Sequence, residues 1–232
     1  MPTAREALLR SALAALAELP WSAIRMVDVA SGAGVSRQTL YNEFGSKDGL
    51  ARALMRWETD RYLHGVERLL GERAAAADRL VAIAEWTVGE ARARPLLRAL
   101  LTGCWGEWLP APPPAREATV TSTVPAQRRA DAGPPGTAAL VALVRDRSAA
   151  ALRQDQRDQN QRHQGQRDHG QRDYDRDELL YRCELAVRLA LAHLIAPGAE
   201  SVGPLVRTAV TAPLRVPPRA PLSAPSPRAG AR

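Results

Sequence analysis

The sequence predicts an all-α fold, on three observations. Apolar residues recur every three or four positions, as in Leu9, Leu13 and Leu16 and again in Val187, Leu191 and Leu194. Ala, Leu and Arg dominate while aromatic residues make up only 4%, a mixture that favours helices over pleated sheet. Gly and Pro fall where such helices would start or stop, at Gly71, Pro95 and Pro197-Gly198. At 232 residues the chain can bury one sizeable core or two small ones.

Each element follows in order. Residues 3–19 form a first helix, and Thr3-Ala4-Arg5-Glu6 has the spacing of a capping box. A second helix covers 26–33 and a third 37–43. Between them Gly34 supplies a positive φ without a Cβ penalty, and Ser36 suits an N-cap. The fourth helix, 46–70, would be roughly 36 Å long at 1.5 Å per residue, enough to join two domains. Its apolar stripe shifts around the axis, from Leu50, Leu54 and Trp57 to Tyr62, Val66 and Leu69, as if each half packed on a different domain.

Helices are expected next over 75–91 and 95–108. Residues 109–136, rich in Pro, Ala and Thr, read as a long, mostly unstructured loop. Helix returns at 137–152. The tract 153–177, built on Gln-Arg-Asp, has no apolar face to bury and is expected to be disordered; Gly165 and Gly170 break a helical alternative. The strongest helix of the second half is 177–195, a short one covers 202–211, and the Pro-rich tail 213–232 is expected to be disordered.

The most informative stretch is 27–50, VDVASGAGVSRQTLYNEFGSKDGL. Val29, Ala30, Val35, Leu40, Phe44 and Leu50 sit where two short helices and the start of a third need a core. Leu40 and Phe44, four apart, share one face. The positions left outside are Ser36, Arg37, Gln38, Thr39, Tyr41 and Asn42, all polar groups suited to touching DNA. The only Phe and the only Lys of the chain, Phe44 and Lys47, lie here too.

These residues resemble the DNA-binding domain of the TetR family of bacterial transcriptional regulators. Val29-Ala30, Ala33-Gly34-Val35-Ser36, Leu40-Tyr41-Asn42-Glu43-Phe44 and Lys47 with Leu50 carry the resemblance, which covers about a quarter of the chain. It implies an N-terminal three-helix helix-turn-helix DNA-binding domain (3–62, motif about 25–44) and a C-terminal helical ligand-binding and dimerisation domain (63–212). The implied partners are a double-stranded DNA operator, a second copy of the chain and a small-molecule inducer. Repression is the commoner behaviour in the family.

Arg37, Gln38, Thr39 and Asn42 are expected near base edges, since Arg can pair with guanine, Gln and Asn with adenine, and the Thr methyl can touch a thymine methyl. Ser36, Tyr41 and Lys47 are expected at phosphates. Many members of the family have Thr or Ser where Arg25 stands; Arg25 could reach a phosphate, but its capping role is open. The dimer surface is expected on 137–152 and 177–195. Trp86, Cys104, Trp105 and Trp108 are candidates to line an inducer pocket, although large aromatics at helical spacing are more often core.

Charge bounds the reading. Up to Gly65 there are eight Arg or Lys against seven Asp or Glu, a net of +1, whereas 201–232 holds five Arg and no acid. Most of the formal +7 therefore lies at the C-terminus, and single placed cations (Arg25, Arg37, Lys47) must meet the phosphates. No signal peptide and no run of eighteen apolar residues is present, so a cytoplasmic protein with no membrane partner is expected. Cys104 and Cys183 read as small buried hydrophobes. No phosphate loop, metal-ligand spacing or nucleophile motif is found, so no catalytic residue, metal or cofactor is expected. The rivals are a ligandless DNA-binding protein, an architectural protein whose basic tail gathers DNA, and a helical enzyme with a DNA-binding appendage.

Overall fold

The computed structural model describes residues 3–111, 135–162 and 169–213, without the side chains of 159–175. Those residues form nine α-helices and no strand. They are α1 (Ala4–Glu18), α2 (Met26–Gly32), α3 (Arg37–Phe44), α4 (Lys47–Leu70), α5 (Ala76–Ala93), α6 (Pro95–Thr102), α7 (Thr137–Arg162), α8 (His169–Ile195) and α9 (Val202–Thr211).

The first three helices fold over the start of α4. The capping box of α1 is formed: the Thr3 hydroxyl accepts from the Glu6 amide at 3.2 Å, and Glu6 accepts from the Thr3 amide at 3.0 Å. Leu8, Leu9, Ala12 and Leu16 of α1 meet Val29, Ala30, Leu40, Leu50 and Leu54 in one apolar core. Removing each such leucine from water stabilises the fold by about 1.5–3 kcal/mol, as an upper bound. Two long-range polar ties add orientation. The Ser11 hydroxyl donates to the Val29 carbonyl at 2.9 Å, and Arg5 donates to the Glu43 carboxylate at 3.2 Å with its guanidinium 4.8 Å from the centre of the Phe44 ring.

Helix α4 runs out of this unit into the second half of the chain. It touches α1 and α3 early and α5, α6 and α7 later, as its shifting stripe requires. Tyr62 stacks on Trp86 of α5 with ring centres 5.5 Å apart, and Gly65 makes room for that indole: a Cβ there would lie 2.0 Å from it. The Tyr62 hydroxyl pairs with the Thr87 hydroxyl at 3.0 Å, and burial pushes the phenol up to about 12. Behind α4, α5 packs against α6, α8 and α9, while α7 lies along α8.

The sixth helix is shorter than the sequence predicts. It stops at Thr102 because Gly103 takes a left-handed conformation (φ 73°) and returns its amide to the Ala99 carbonyl at 2.8 Å. Cys104 through Trp108, expected in helix, are therefore turn and coil. The Gln-Arg-Asp tract also departs from expectation: its described parts, 153–162 and 169–177, are helical ends of α7 and α8, and Gly170 is inside α8. Arg and Gln are good helix formers, and partners elsewhere hold α7 down. Asp155 pairs with the buried Arg79, which also donates to the Leu70 carbonyl at 2.7 Å, and Arg147 pairs with Glu67. Residues 112–134, 163–168 and 214–232, which carry most of the predicted loop, the centre of the tract and nearly all of the tail, lie outside the described residues. Among the described residues no helix is long and apolar enough to cross a membrane, and no group of three His, Cys, Asp or Glu could hold a metal ion.

Candidate nucleic-acid interface

The turn between α2 and α3 is set by backbone chemistry. Gly34 has φ 67°, and the Gly34 and Val35 amides close back on the Ser31 and Ala30 carbonyls at 3.0 and 3.1 Å. Ser36 then caps α3 from an extended conformation: its Oγ accepts from the Thr39 amide at 3.0 Å and pairs with the Thr39 hydroxyl at 2.9 Å. Ser36→Ala should lower stability by about 1 kcal/mol, read as a drop in the denaturation midpoint at unchanged m-value; an unshifted midpoint would mean the cap contributes nothing.

With Leu40 and Phe44 turned inward, the other side of α3 faces solvent. Arg37, Gln38, Tyr41 and Asn42 are exposed and Thr39 is half-buried. Gln38 Nε2 donates to Asn42 Oδ1 at 2.8 Å. The side chain of Arg37 makes no hydrogen bond or ion pair with any described residue.

The other expected contacts are less free. Arg25 stands at the N-cap position of α2 but makes no side-chain cap bond. Its guanidinium forks onto Asp28 instead, Nε to Oδ2 at 2.8 Å and Nη2 to Oδ1 at 3.2 Å, and this bonding raises its pKa above the usual arginine value. Lys47, the first residue of α4, is half-buried: Nζ donates to the Ser22 carbonyl at 3.1 Å and lies 5.3 Å from the centre of the Trp21 ring. Trp21 in turn donates its amide to the Trp108 carbonyl at 2.8 Å, joining the first unit to the turn after α6. These ties span 25 and more residues, and periodicity carries no sign of them.

The four residues singled out for an inducer pocket do not share one environment. Trp86 is stacked between α4 and α5, Trp105 is partly buried against the core, and Cys104 and Trp108 are exposed, Trp108 by 54%. Only Cys183 of the two cysteines is the buried hydrophobe expected, with burial pushing its thiol up to about 12. Cys104 is exposed because the helix predicted to carry it ends at Thr102. What sequence reasoning missed is a buried polar cluster nearby. Glu58 of α4, 1% exposed, lies 2.8 Å from Arg94 Nη1, and Arg94 Nη2 lies 2.6 Å from Glu90. The Glu58–Arg94 contact is close but poorly aligned, so neither group gains a well-directed hydrogen bond from it.

A capped helix held across a glycine-hinged partner, with its polar side outward, is a helix-turn-helix unit of the DNA-binding type. The family model for bacterial regulatory proteins of the tetR family matches residues 8–54, so this N-terminal segment carries that family's helix-turn-helix domain. It is 41% identical over 106 residues to the HTH-type transcriptional regulator AlkX of Mycobacterium tuberculosis, a match covering 43% of this chain and 50% of that protein. The chain thus spans about half the length of this relative. Among solved structures it is similar to the TetR family repressor AlkX from Dietzia (19% identity, TM-score 0.46, covering 89% of this chain and 90% of that one). It is also similar to a tetR-family regulator from Streptomyces coelicolor (18% identity, TM-score 0.49, covering 90% and 79%).

Proposed function

We propose that the chain is a sequence-specific transcriptional regulator, a repressor that binds a palindromic operator as a homodimer and is released by a small-molecule inducer. The observation that carries this is the outward polar row of α3, Arg37, Gln38, Thr39 and Asn42, on a helix whose opposite side is sealed in the core. In this reading 3–62 is the DNA-binding domain, 63–212 the regulatory and dimerisation domain, and 213–232 a basic tail. Arg37, Gln38, Thr39 and Asn42 read base edges, while Ser36, Tyr41, Lys47 and Arg25 meet phosphates. Lys47 can do so without leaving Trp21, because an ammonium has three donors and the Ser22 carbonyl takes one.

One short helix reads only a few base pairs, so two heads are required, and two-fold symmetry supplies them. The outer side of α8 supports a self-complementary surface. Tyr181, Leu185, Ala192 and Ile195 follow one another at helical spacing around Arg188, with Tyr181 53% and Ile195 63% exposed. An inducer acting on the heads would have to change how α4 is held, and the Glu58–Arg94 cluster at the α4–α5–α6 junction is one place on α4 where buried polar groups lack well-aligned partners.

Sedimentation of the full chain with a randomised pool of double-stranded DNA tests the proposal. The expected result is a dimer that enriches an inverted repeat, and a Tyr181→Glu, Ile195→Glu double variant that is monomeric and loses the site. A monomeric wild type that enriches no sequence would overturn it.

A further inference from the structure

The hydrogen bonds on α3 divide its polar residues in a way the sequence does not show. Thr39 and Ser36 engage their hydroxyls with each other, 2.9 Å apart, and Ser36 is also committed to the Thr39 amide. Gln38 and Asn42, one turn apart, are joined amide to amide at 2.8 Å. Arg37 is bound to nothing among the described residues, whereas Arg25 and Lys47 are both tied down. The three candidate readers that work by hydrogen bonds, Arg37, Gln38 and Asn42, thereby reduce to two independent ones, beside the methyl of Thr39.

From this we infer that Gln38 and Asn42 act as a single adenine-reading unit, with Asn42 as the positioning residue, and that Arg37 reads a separate base, a guanine. A bidentate contact with adenine needs one acceptor and one donor on the same amide plane. After donating one N–H to Asn42, Gln38 still has Oε1 and its second N–H. The bond fixes the plane of an otherwise freely rotating terminal amide, so part of the ordering that binding requires is already in place in the free protein. Arg37 keeps all five of its donors and shares no partner with that pair, so its fork remains available for the two acceptors of guanine. The inference rests on the DNA-binding reading proposed above.

Selection from a randomised pool of double-stranded DNA, with the full chain and its variants, tests it. Gln38→Ala and Asn42→Ala should each weaken binding to the wild-type site by about tenfold and relax preference at the same base pair. Together they should cost about tenfold as well, not a hundredfold, since the second change removes nothing further. Arg37→Ala should relax a different base pair, and combined with Gln38→Ala the losses should multiply to about a hundredfold. In the free protein Asn42→Ala should also shift the side-chain amide proton resonances of Gln38, which requires no DNA. Multiplying losses for Gln38 and Asn42, effects at different base pairs, or an unmoved Gln38 amide would overturn the inference while leaving DNA binding intact. Failure of the wild type to enrich any site would instead remove the reading beneath it.

Discussion

Arg94→Ala is expected to cost about 3–5 kcal/mol of stability at neutral pH, because it strands a buried carboxylate. Glu58 is 1% exposed, and the guanidinium of Arg94, itself largely buried, is its nearest cation at 2.8 Å. Burial holds the Glu58 carboxyl above the usual carboxylate range despite Arg94 and Arg61, so desolvation outweighs the attraction even with the pair intact. The sign of the pH dependence follows. A carboxyl whose folded pKa is raised binds its proton more tightly in the folded chain. Its contribution to stability is therefore full below the unfolded pKa, about 4.3, and is lost as pH rises through the folded value. Removing Arg94 raises that folded value further and deepens the loss, so the gap between Arg94→Ala and wild type should narrow as pH falls towards about 4.5 and widen towards neutrality. Glu58→Gln placed on top of Arg94→Ala should restore most of the stability at neutral pH, since a neutral amide costs less to bury than an unpaired charge. Denaturant titrations of wild type, Arg94→Ala and the double variant across this pH range provide the check. A deficit that is flat with pH, or a double variant no better than Arg94→Ala, would show that Arg94 acts by packing alone.

How much of this is legible in the sequence depends on whether the interaction is local. The Thr3 box, the positive φ of Gly34, the Ser36 cap and the inward pair Leu40 and Phe44 all act within about four residues, where periodicity and residue chemistry suffice. The helix over 202–211 is legible to the residue for the same reason. The Glu58–Arg94 pair, the Arg5 clamp on Glu43 and the Lys47 tie to Ser22 join residues 25 to 38 apart, and no local pattern encodes which distant partner a charge will find. The Gln-Arg-Asp tract misleads in the same way. Alone it has no apolar face, but Arg79 lies where Asp155 of the tract can pair with it. The end of α6 is a different kind of miss. Gly103 stands in the sequence as a possible C-cap, and the apolar pattern running past it to Trp108 masks that signal. Following the pattern places Cys104, Trp105 and Trp108 together on a helix they do not form.

Gly49→Ala should be as damaging as its reputation is mild. Within a helix, Ala is normally favoured over Gly by about 1 kcal/mol. Here Gly49 lies in the first turn of α4, its amide bonded to the capping Ser46 hydroxyl at 3.1 Å, and a Cβ would stand 1.8 Å from the Phe44 carbonyl oxygen. That oxygen belongs to the backbone of the last residue of α3, and it also accepts from the Ser46 amide at 2.8 Å. It cannot turn aside as a side chain would. Relief requires α3 to move against α4, which disturbs Leu40 and Phe44 in the core and the polar row on the opposite side of the same helix. Forced overpacking of this kind typically costs about 1–3 kcal/mol, and the rigidity of the obstacle places this case at the upper end, beyond what helix propensity can offset. Gly89, inside α5 with nothing beyond its own helix backbone within 4 Å of where a Cβ would stand, is the matched control: Gly89→Ala should stabilise by about 0.5–1 kcal/mol. The two substitutions should thus move the denaturation midpoint in opposite directions, and only Gly49→Ala should abolish selection of a preferred DNA site. If Gly49→Ala unfolds at or above the wild-type midpoint and still selects the same site, the contact between the end of α3 and the start of α4 does not constrain the reading helix.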